Sequence, residues 1–373
     1  MIYLDYAADT PVRREVLETF NRTCETYFAN PNATHSLGRR SKACIDAITE
    51  EIAKLLGCHS EEIIYTSGAT ESNNLAIKGV AEQYGRKGKH MITSYLEHSS
   101  VTGPLNYLQQ KGFEVDFVRV QPNGKIDLEH LKTLLRPDTI LVSLAAIDSE
   151  LGIIQDIHGI REVIKKYPNC LLHVDATQAV GKTKVAIQDV DLMTLTAHKL
   201  YGLHGIGVLI KKKPIYLTPI IHGGISTTPF RSGTPTLAHI VSLQKALALA
   251  LEEQETVLER IKAYNKQLRT ALTAYPKILM NSEESSATPY ILNISLMGIK
   301  ASQMQQKLEE QEIYVSTKSA CVTPNTPSRP VLAVFNERKR ALSTLRISLS
   351  YQTTQEEIDS FIEQFEMCYR ALE

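Results

Sequence analysis

The feature that most constrains this chain is an alternation between about residues 60 and 210. Short apolar runs recur at residues 63–65, 90–93, 115–120, 140–145, 171–174, 192–196 and 207–210, with helical patterns between several of them, as at 72–84 and 101–111. Strands that are apolar along their whole length, separated by helices, point to a mostly parallel sheet covered on both faces. The expected class is therefore α/β. A long helical pattern at 237–274 then leads away from the sheet. Residues 275–373 read as a smaller α+β lobe, with strands near 290–294, 313–315 and 345–349 and helices near 301–311 and 355–372.

At 373 residues the chain is long enough for two lobes. Lys plus Arg and Asp plus Glu both number 41, a balance that argues against direct nucleic-acid binding. The chain opens on MIYLDYAADTP, with no basic flank before an apolar stretch, and no run of about eighteen apolar residues occurs anywhere. Neither a secretory signal nor a membrane span is expected. The six cysteines, Cys24, Cys44, Cys58, Cys170, Cys321 and Cys368, are scattered with no CxxC pair. That usage suits a reduced cytoplasmic protein better than a disulfide framework or a zinc site. Five of them sit in helical or strand-like apolar patterns. Cys321 instead precedes a polar, Pro-rich stretch at 323–330, read as an irregular surface loop, where a thiol can be exposed and reactive.

Three further places can carry chemistry. Asp175 ends an apolar strand, and the carboxyl ends of parallel strands open onto a ligand crevice. An Asp there can pair with a protonated ring nitrogen, or it can simply cap the next turn. Lys199 follows the apolar run at 192–196 and lies 24 residues after Asp175, one crossover unit away. Half desolvated, such a lysine can form a Schiff base; solvated, it merely begins a loop. Residues 66–71, Thr-Ser-Gly-Ala-Thr-Glu, follow a strand and open a helix, a place for a phosphate or for an ordinary cap. No GK[ST] follows, which excludes a Walker loop, and the glycines at 202–207 have the wrong order for a dinucleotide fingerprint.

Taken together, these stretches resemble the cysteine desulfurases of the NifS/IscS-like kind, in the class V aminotransferase family. The resemblance runs nearly end to end, through LDYAADTP, NPNATHSLG, TSGATESNNLAIKG, EHSSV, HVDATQAVGK, HKLYGLHGIG, RSGT at 231–234, KSAC and LRISLS. It implies the pyridoxal 5'-phosphate (PLP)-dependent transferase fold type I. A large, mostly parallel sheet domain would span 12–250, and a smaller α+β domain would comprise 1–11 and 251–373. It implies PLP as cofactor, held covalently by Lys199, with Asp175 on the ring nitrogen, Gln178 on the ring hydroxyl and His98 stacked on the ring and moving protons. Ala69, Thr70, Thr196, Ala197 and His198 would surround the phosphate. Thr234 would reach the phosphate of a neighbouring subunit, making a homodimer. Arg346 would grip the carboxylate of L-cysteine. Cys321 would take the sulfur as a persulfide and pass it to protein acceptors in iron–sulfur cluster assembly or tRNA thiolation. The 25 residues from Cys321 to Arg346 resemble the long-loop subgroup.

The sequence departs from the family pattern at several points. Ala146 to Glu150 reads Ala-Ile-Asp-Ser-Glu in place of His-Val-Asn-Asn-Glu, so Ser149 stands beside the ring hydroxyl where an amide is usual. GGIST follows His222 in place of a longer glycine run, Thr196-Ala197 replaces Ser-Gly, and Lys318 replaces a glycine. Two rival readings remain: another class V enzyme, such as an aminotransferase or selenocysteine lyase, and a protein that has lost turnover and serves as a scaffold for sulfur proteins.

Overall fold

The computed structural model describes residues 1–224, 226–318 and 326–373. Among them, seven strands form the main sheet in the order Ile63–Thr66, Gly207–Lys211, Leu192–Thr196, Leu171–Asp175, Thr139–Ala145, His90–Ser94, Glu114–Val118. Neighbours run parallel, except that Gly207–Lys211 is antiparallel to both strands beside it. The mostly parallel sheet is therefore present, with one reversed strand. Its residues alternate between two cores. Ile63, Tyr65, Ile92, Val174, Val208 and Ile210 pack against Ile45 and Ile52 of helix Ser36–Leu56, Ile160 of helix Ile157–Ile164 and Leu243 of helix Leu237–Glu252. Ile64, Met91, Leu141 and Leu209 face the other way, onto Leu75 and Val80 of helix Ala69–Tyr84 and Leu105 of helix Ser99–Gln109. With both faces covered, the inner strands are buried along nearly their whole length, and their apolar runs are what made them readable, while the edge strand Glu114–Val118 is only partly buried.

The remaining strands build a second core. Thr344–Ser348, Ile291–Leu296 and Ile278–Met280 form an antiparallel sheet, and Ile2–Tyr3 pairs in parallel with Ile313–Tyr314. Leu4 is buried there with Ile294, Ile347, Phe361 and Phe365.

Three expectations need correction. The pattern at 237–274 is two helices, Leu237–Glu252 and Gln254–Thr273, meeting at Glu253, whose carboxylate takes both terminal nitrogens of Arg13 at 2.8 and 2.6 Å. Two long helices, Arg14–Thr26 and Ser36–Leu56, precede the sheet and were not expected. The Pro-rich stretch does not stay irregular to 330. Helix Arg329–Phe335 starts inside it, with the Ser328 hydroxyl accepting from Val331 N–H at 3.3 Å. Pro330 lies in the first turn, where a missing N–H costs no helical bond.

Candidate active site

A cavity of about 360 Å³ opens at the carboxyl edge of the main sheet. Into it come the turn before helix Ala69–Tyr84, His98 after strand His90–Ser94, Ser149 beyond Thr139–Ala145, Asp175 and Gln178 beyond Leu171–Asp175, and Thr196, His198 and Lys199 beyond Leu192–Thr196. Arg346 enters from the second sheet, and Ala7 and Ala8 from the start of the chain.

The turn at Gly68 is built to present backbone donors. Gly68 has φ 152°, a conformation that disfavours any side chain. Across from it, a Cβ on Gly207 would lie 2.7 Å from the Gly68 Cα, so both glycines are needed for the turn to lie against the sheet. No side chain caps the helix. The N–H groups of Ala69, Thr70 and Glu71 are those that helix geometry leaves without an internal acceptor, and Ala69 to Glu71 line the cavity. The Glu71 carboxylate is engaged by its own donors: Arg231 Nε and Ser67 N–H hold its two oxygens at 2.8 and 2.7 Å. Thr196 Oγ1 and His198 Nδ1 lie 3.1 Å apart at the same end of the cavity, and burial pulls His198 down to about 4, so its ring is neutral.

Asp175 is held by two donors, Thr177 N–H at 3.0 Å and the Asn73 amide at 2.8 Å. Asn73 also reaches Ser100 Oγ at 2.9 Å, and Ser100 Oγ lies 2.9 Å from His98 Nδ1. His98 is at the same time the cap of helix Ser99–Gln109, its Nδ1 accepting from Ser100 N–H at 3.1 Å. Burial, the largest cause, draws its pKa below the ordinary value.

Lys199 Nζ donates to the carbonyl of Ala7 at 2.8 Å and to that of Ala8. Gln178 Nε2 donates to the same Ala7 oxygen at 2.9 Å. Behind Gln178 is a buried second lysine. Lys182 Nζ donates to Gln178 Oε1 at 2.9 Å, and burial, then Lys199 and Arg346, push its pKa down to about 7. Gly181, at φ 76°, makes the turn that brings Lys182 back onto Gln178; a Cβ there would lie 2.7 Å from Leu200.

Arg346 is 1% exposed. Its Nη2 pairs with Asp5 Oδ1 at 2.8 Å and its Nη1 donates to the Ser149 carbonyl at 2.7 Å, while Nε has no partner among the described residues. A buried guanidinium with an unused donor is suited to a carboxylate. The departure at 146–150 has a structural account. Asp148 accepts from the N–H groups of Glu150, Leu151 and Ile153 at 2.7 to 2.9 Å and so shapes the turn that points the Ser149 carbonyl at Arg346. Glu150 receives the Ser328 hydroxyl at 2.6 Å, and Lys318 donates to Thr326 O and Oγ1 at 2.9 and 2.8 Å.

The structure thus gathers Ala69, Thr70, His98, Ser149, Asp175, Gln178, Thr196, His198, Lys199 and Arg346 around one cavity. Ala197 is fully buried and is not part of the lining. Thr234 is exposed and also lies off this cavity. Cys321, with Ser319 and Ala320, lies outside the described residues, as does Ile225 of the GGIST stretch. Sequence reasoning missed Asn73, Ser100, Lys182 and Asp5. All four stand within motif stretches quoted above, but nothing in their spacing announces their contacts. Chemically, the cavity offers backbone donors for a phosphate, a carboxylate for a ring cation, a primary amine for a carbonyl carbon and a guanidinium for a substrate carboxylate.

An aminotransferase class-V family model matches residues 2–361. A protein of Lactobacillus delbrueckii subsp. bulgaricus named as a NifS/IcsS protein homolog is 37% identical, over 99% of this chain and 97% of the relative. One from Dictyoglomus turgidum named cysteine desulfurase IscS is 36% identical, over 98% and 93%. A solved structure described as a NifS-like protein superposes with a TM-score of 0.94 at 32% identity, covering 100% of both chains.

Proposed function

The chain belongs to the aminotransferase class-V family and is a PLP-dependent cysteine desulfurase, and from that premise we propose that Lys199, Asp175, His98, Arg346 and Cys321 divide the removal of sulfur from L-cysteine between them. The observation that carries the division of labour is the convergence of Asp175, Lys199 and the uncapped helix N-terminus on one cavity, with Arg346 at its far wall. These groups fit PLP. Ala69, Thr70, Thr196 and His198 would take its phosphate, Asp175 its ring nitrogen, Gln178 and Ser149 the side of its hydroxyl, and Lys199 its aldehyde carbon. Ala197, fully buried between Thr196 and His198 in the chain, is read as part of the same cofactor-binding stretch. Bound there, PLP supplies an electron sink for the carbon next to the substrate's carboxylate and amine.

The protein's own groups do the rest. Arg346 orients the carboxylate of L-cysteine, with its guanidinium already positioned by Asp5 and the Ser149 carbonyl. The Lys199 amine, held at the cavity by the Ala7 and Ala8 carbonyls, would take the α-proton of the substrate. Asp175 would pair with the ring nitrogen of bound PLP and favour its protonated form. The thiolate of Cys321 attacks the substrate sulfur, the carbon–sulfur bond breaks, and the sulfur remains on Cys321 as a persulfide. The balance is L-cysteine plus the Cys321 thiol giving L-alanine plus the Cys321 persulfide.

The persulfide then passes to protein acceptors, in iron–sulfur cluster assembly or tRNA thiolation. We read the chain as a homodimer in which exposed Thr234 serves the phosphate of the other subunit. The lobes are 12–250, and 1–11 with 251–373; the burial of Leu4 among residues 261–369 supports that division. Among the described residues no helix is long and apolar enough to cross a membrane, and we place the enzyme in the cytoplasm. The test is Cys321→Ser. It should still bind PLP and cysteine but form no alanine and carry no persulfide, whereas the wild type gains one sulfur on the peptide containing Cys321. Alanine formation at the wild-type rate in the variant, or sulfur found on Cys24, Cys44, Cys58, Cys170 or Cys368, refutes the assignment.

A further inference from the structure

We propose that Asn73 and Ser100 hold His98 as the neutral tautomer with its proton on Nε2, so that His98 meets cofactor and substrate as a hydrogen-bond donor and not as the acceptor of the thiol proton. This rests on the reading that His98 faces bound PLP. The direction of each hydrogen bond follows from one end of the network. Asp175 Oδ1 accepts from Thr177 N–H, and Asp175 Oδ2 lies 2.8 Å from the Asn73 amide. A carboxylate oxygen accepts, so the amide atom facing it is the nitrogen, whichever way a side-chain amide is first placed. That same Nδ2 lies 2.9 Å from Ser100 Oγ. An amide nitrogen has no acceptor capacity, so the Ser100 oxygen accepts from Asn73.

One hydrogen remains on the Ser100 hydroxyl, and His98 Nδ1 stands 2.9 Å away to receive it. The backbone N–H of Ser100 points at the same nitrogen from 3.1 Å. With two donors directed at it, Nδ1 has no place for a hydrogen of its own, and a neutral imidazole must then carry its proton on Nε2. Taking up a second proton would set an Nδ1–H against the Ser100 N–H and would require the Ser100 hydroxyl to turn round and accept. Burial works in the same direction, drawing the His98 pKa below its ordinary value. Of the charged groups facing His98, Asp175 and Glu150 favour the imidazolium, while Lys199 and Arg329 oppose it.

The consequence is a fixed imidazole. His98 keeps its ring plane through the cap on helix Ser99–Gln109 and offers Nε2–H to whatever occupies the cavity. Asn73 and Ser100 are positioning residues in this arrangement: they touch His98 and Asp175, and they act through them. They also join the two, so that a change in what Asp175 Oδ2 binds is transmitted to the donor count at Nδ1.

The test is nuclear magnetic resonance of holoenzyme carrying isotope-labelled histidine, with the His98 ring nitrogens assigned by their loss in His98→Gln. At neutral pH the wild type should show Nδ1 unprotonated and Nε2 protonated. Ser100→Ala removes one of the two donors, so the His98 protonation midpoint should rise by about one pH unit, a tenfold change in its equilibrium. Ser100→Thr keeps the hydroxyl and should restore the wild-type midpoint. A hydrogen found on Nδ1 in the wild type, or an unchanged midpoint in Ser100→Ala, overturns the proposal. If Ser100→Ala does not fold, the wild-type tautomer alone decides. His98 signals that do not move between apoenzyme and PLP-loaded enzyme would overturn the placement of His98 against the cofactor, while the tautomer is read independently.

Discussion

Replacing Lys182 with methionine asks what a buried ammonium costs this fold. Lys182 is 7% exposed, and its Nζ has Gln178 Oε1 as its acceptor at 2.9 Å. Burial first, then the positive Lys199 and Arg346, carry its pKa from 10.5 down to about 7. The folded value lies below the unfolded one, so between these two values the unfolded chain holds more protons than the folded protein. Stability therefore rises with pH across that window. At and below the lower value the charge costs the folded state about 5 kcal/mol, from a drop of roughly 3.5 units at about 1.4 kcal/mol each. Methionine of similar length removes that cost and also removes the hydrogen bond to Gln178, a loss of about 1–2 kcal/mol. Lys182→Met should then be more stable than wild type at neutral pH by a few kcal/mol. Across about two pH units inside the window, wild type should regain about 3 kcal/mol relative to the variant. Urea unfolding midpoints of both proteins, measured in the apo form over a pH series with equal m-values, read this directly. A difference that stays flat with pH would show that Lys182 is not depressed. A variant less stable at every pH would show that the ammonium is compensated by contacts stronger than its one acceptor among the described residues.

Two other substitutions bear on the site. On the proposed assignment Asp175→Ala would remove the ring nitrogen's counter-charge, and it also strands the Asn73 amide; alanine formation should fall by at least about a hundredfold, with part of the PLP retained, and near-normal turnover measured as alanine released would remove the assigned role. If residue 149 stands beside the cofactor hydroxyl as proposed, Ser149→Asn supplies an amide there and leaves the backbone carbonyl on Arg346 untouched, so PLP should bind several-fold tighter by equilibrium dialysis; no change would mean that Gln178 already meets the need.

What could be read from the sequence follows the physics of each element. Strands buried on both faces announce themselves, and Asp175 and Lys199 drew notice because one ends such a strand and the other follows the end of another by three residues. Helix Arg14–Thr26 was not expected, although Val16, Phe20 and Thr23 stand at helical spacing; it lies outside the strand–helix alternation and buries only Val16 and Thr23 fully. Helix Ser36–Leu56 meets the core with Ile45 and Ile52, but Gly38, Ser41 and Ala53 between and beside them carry little hydropathy signal. The cavity's supporting contacts are long-range. Asn73 is 27 residues from Ser100 and 102 from Asp175, distances at which no local pattern operates. Lys182 lies only four residues from Gln178, yet a lysine in a turn looks solvated until the fold closes over it.

The Asp5–Arg346 pair has a consequence for how the molecule is made. Its two members are separated by 341 residues, and the carbonyls that receive Lys199 lie within three residues of Asp5. On a ribosome adding about 5–20 residues per second, residues 5–8 emerge roughly 20–70 s before the arginine they support has been polymerised. Until then Asp5 has no guanidinium, and the strand at 2–3 has no partner at 313–314. The nascent main sheet must therefore wait with one wall of its cavity missing, and that stretch of early chain is open to proteases and chaperones. Cofactor capture in its final geometry belongs to the last moments of synthesis or to the released chain.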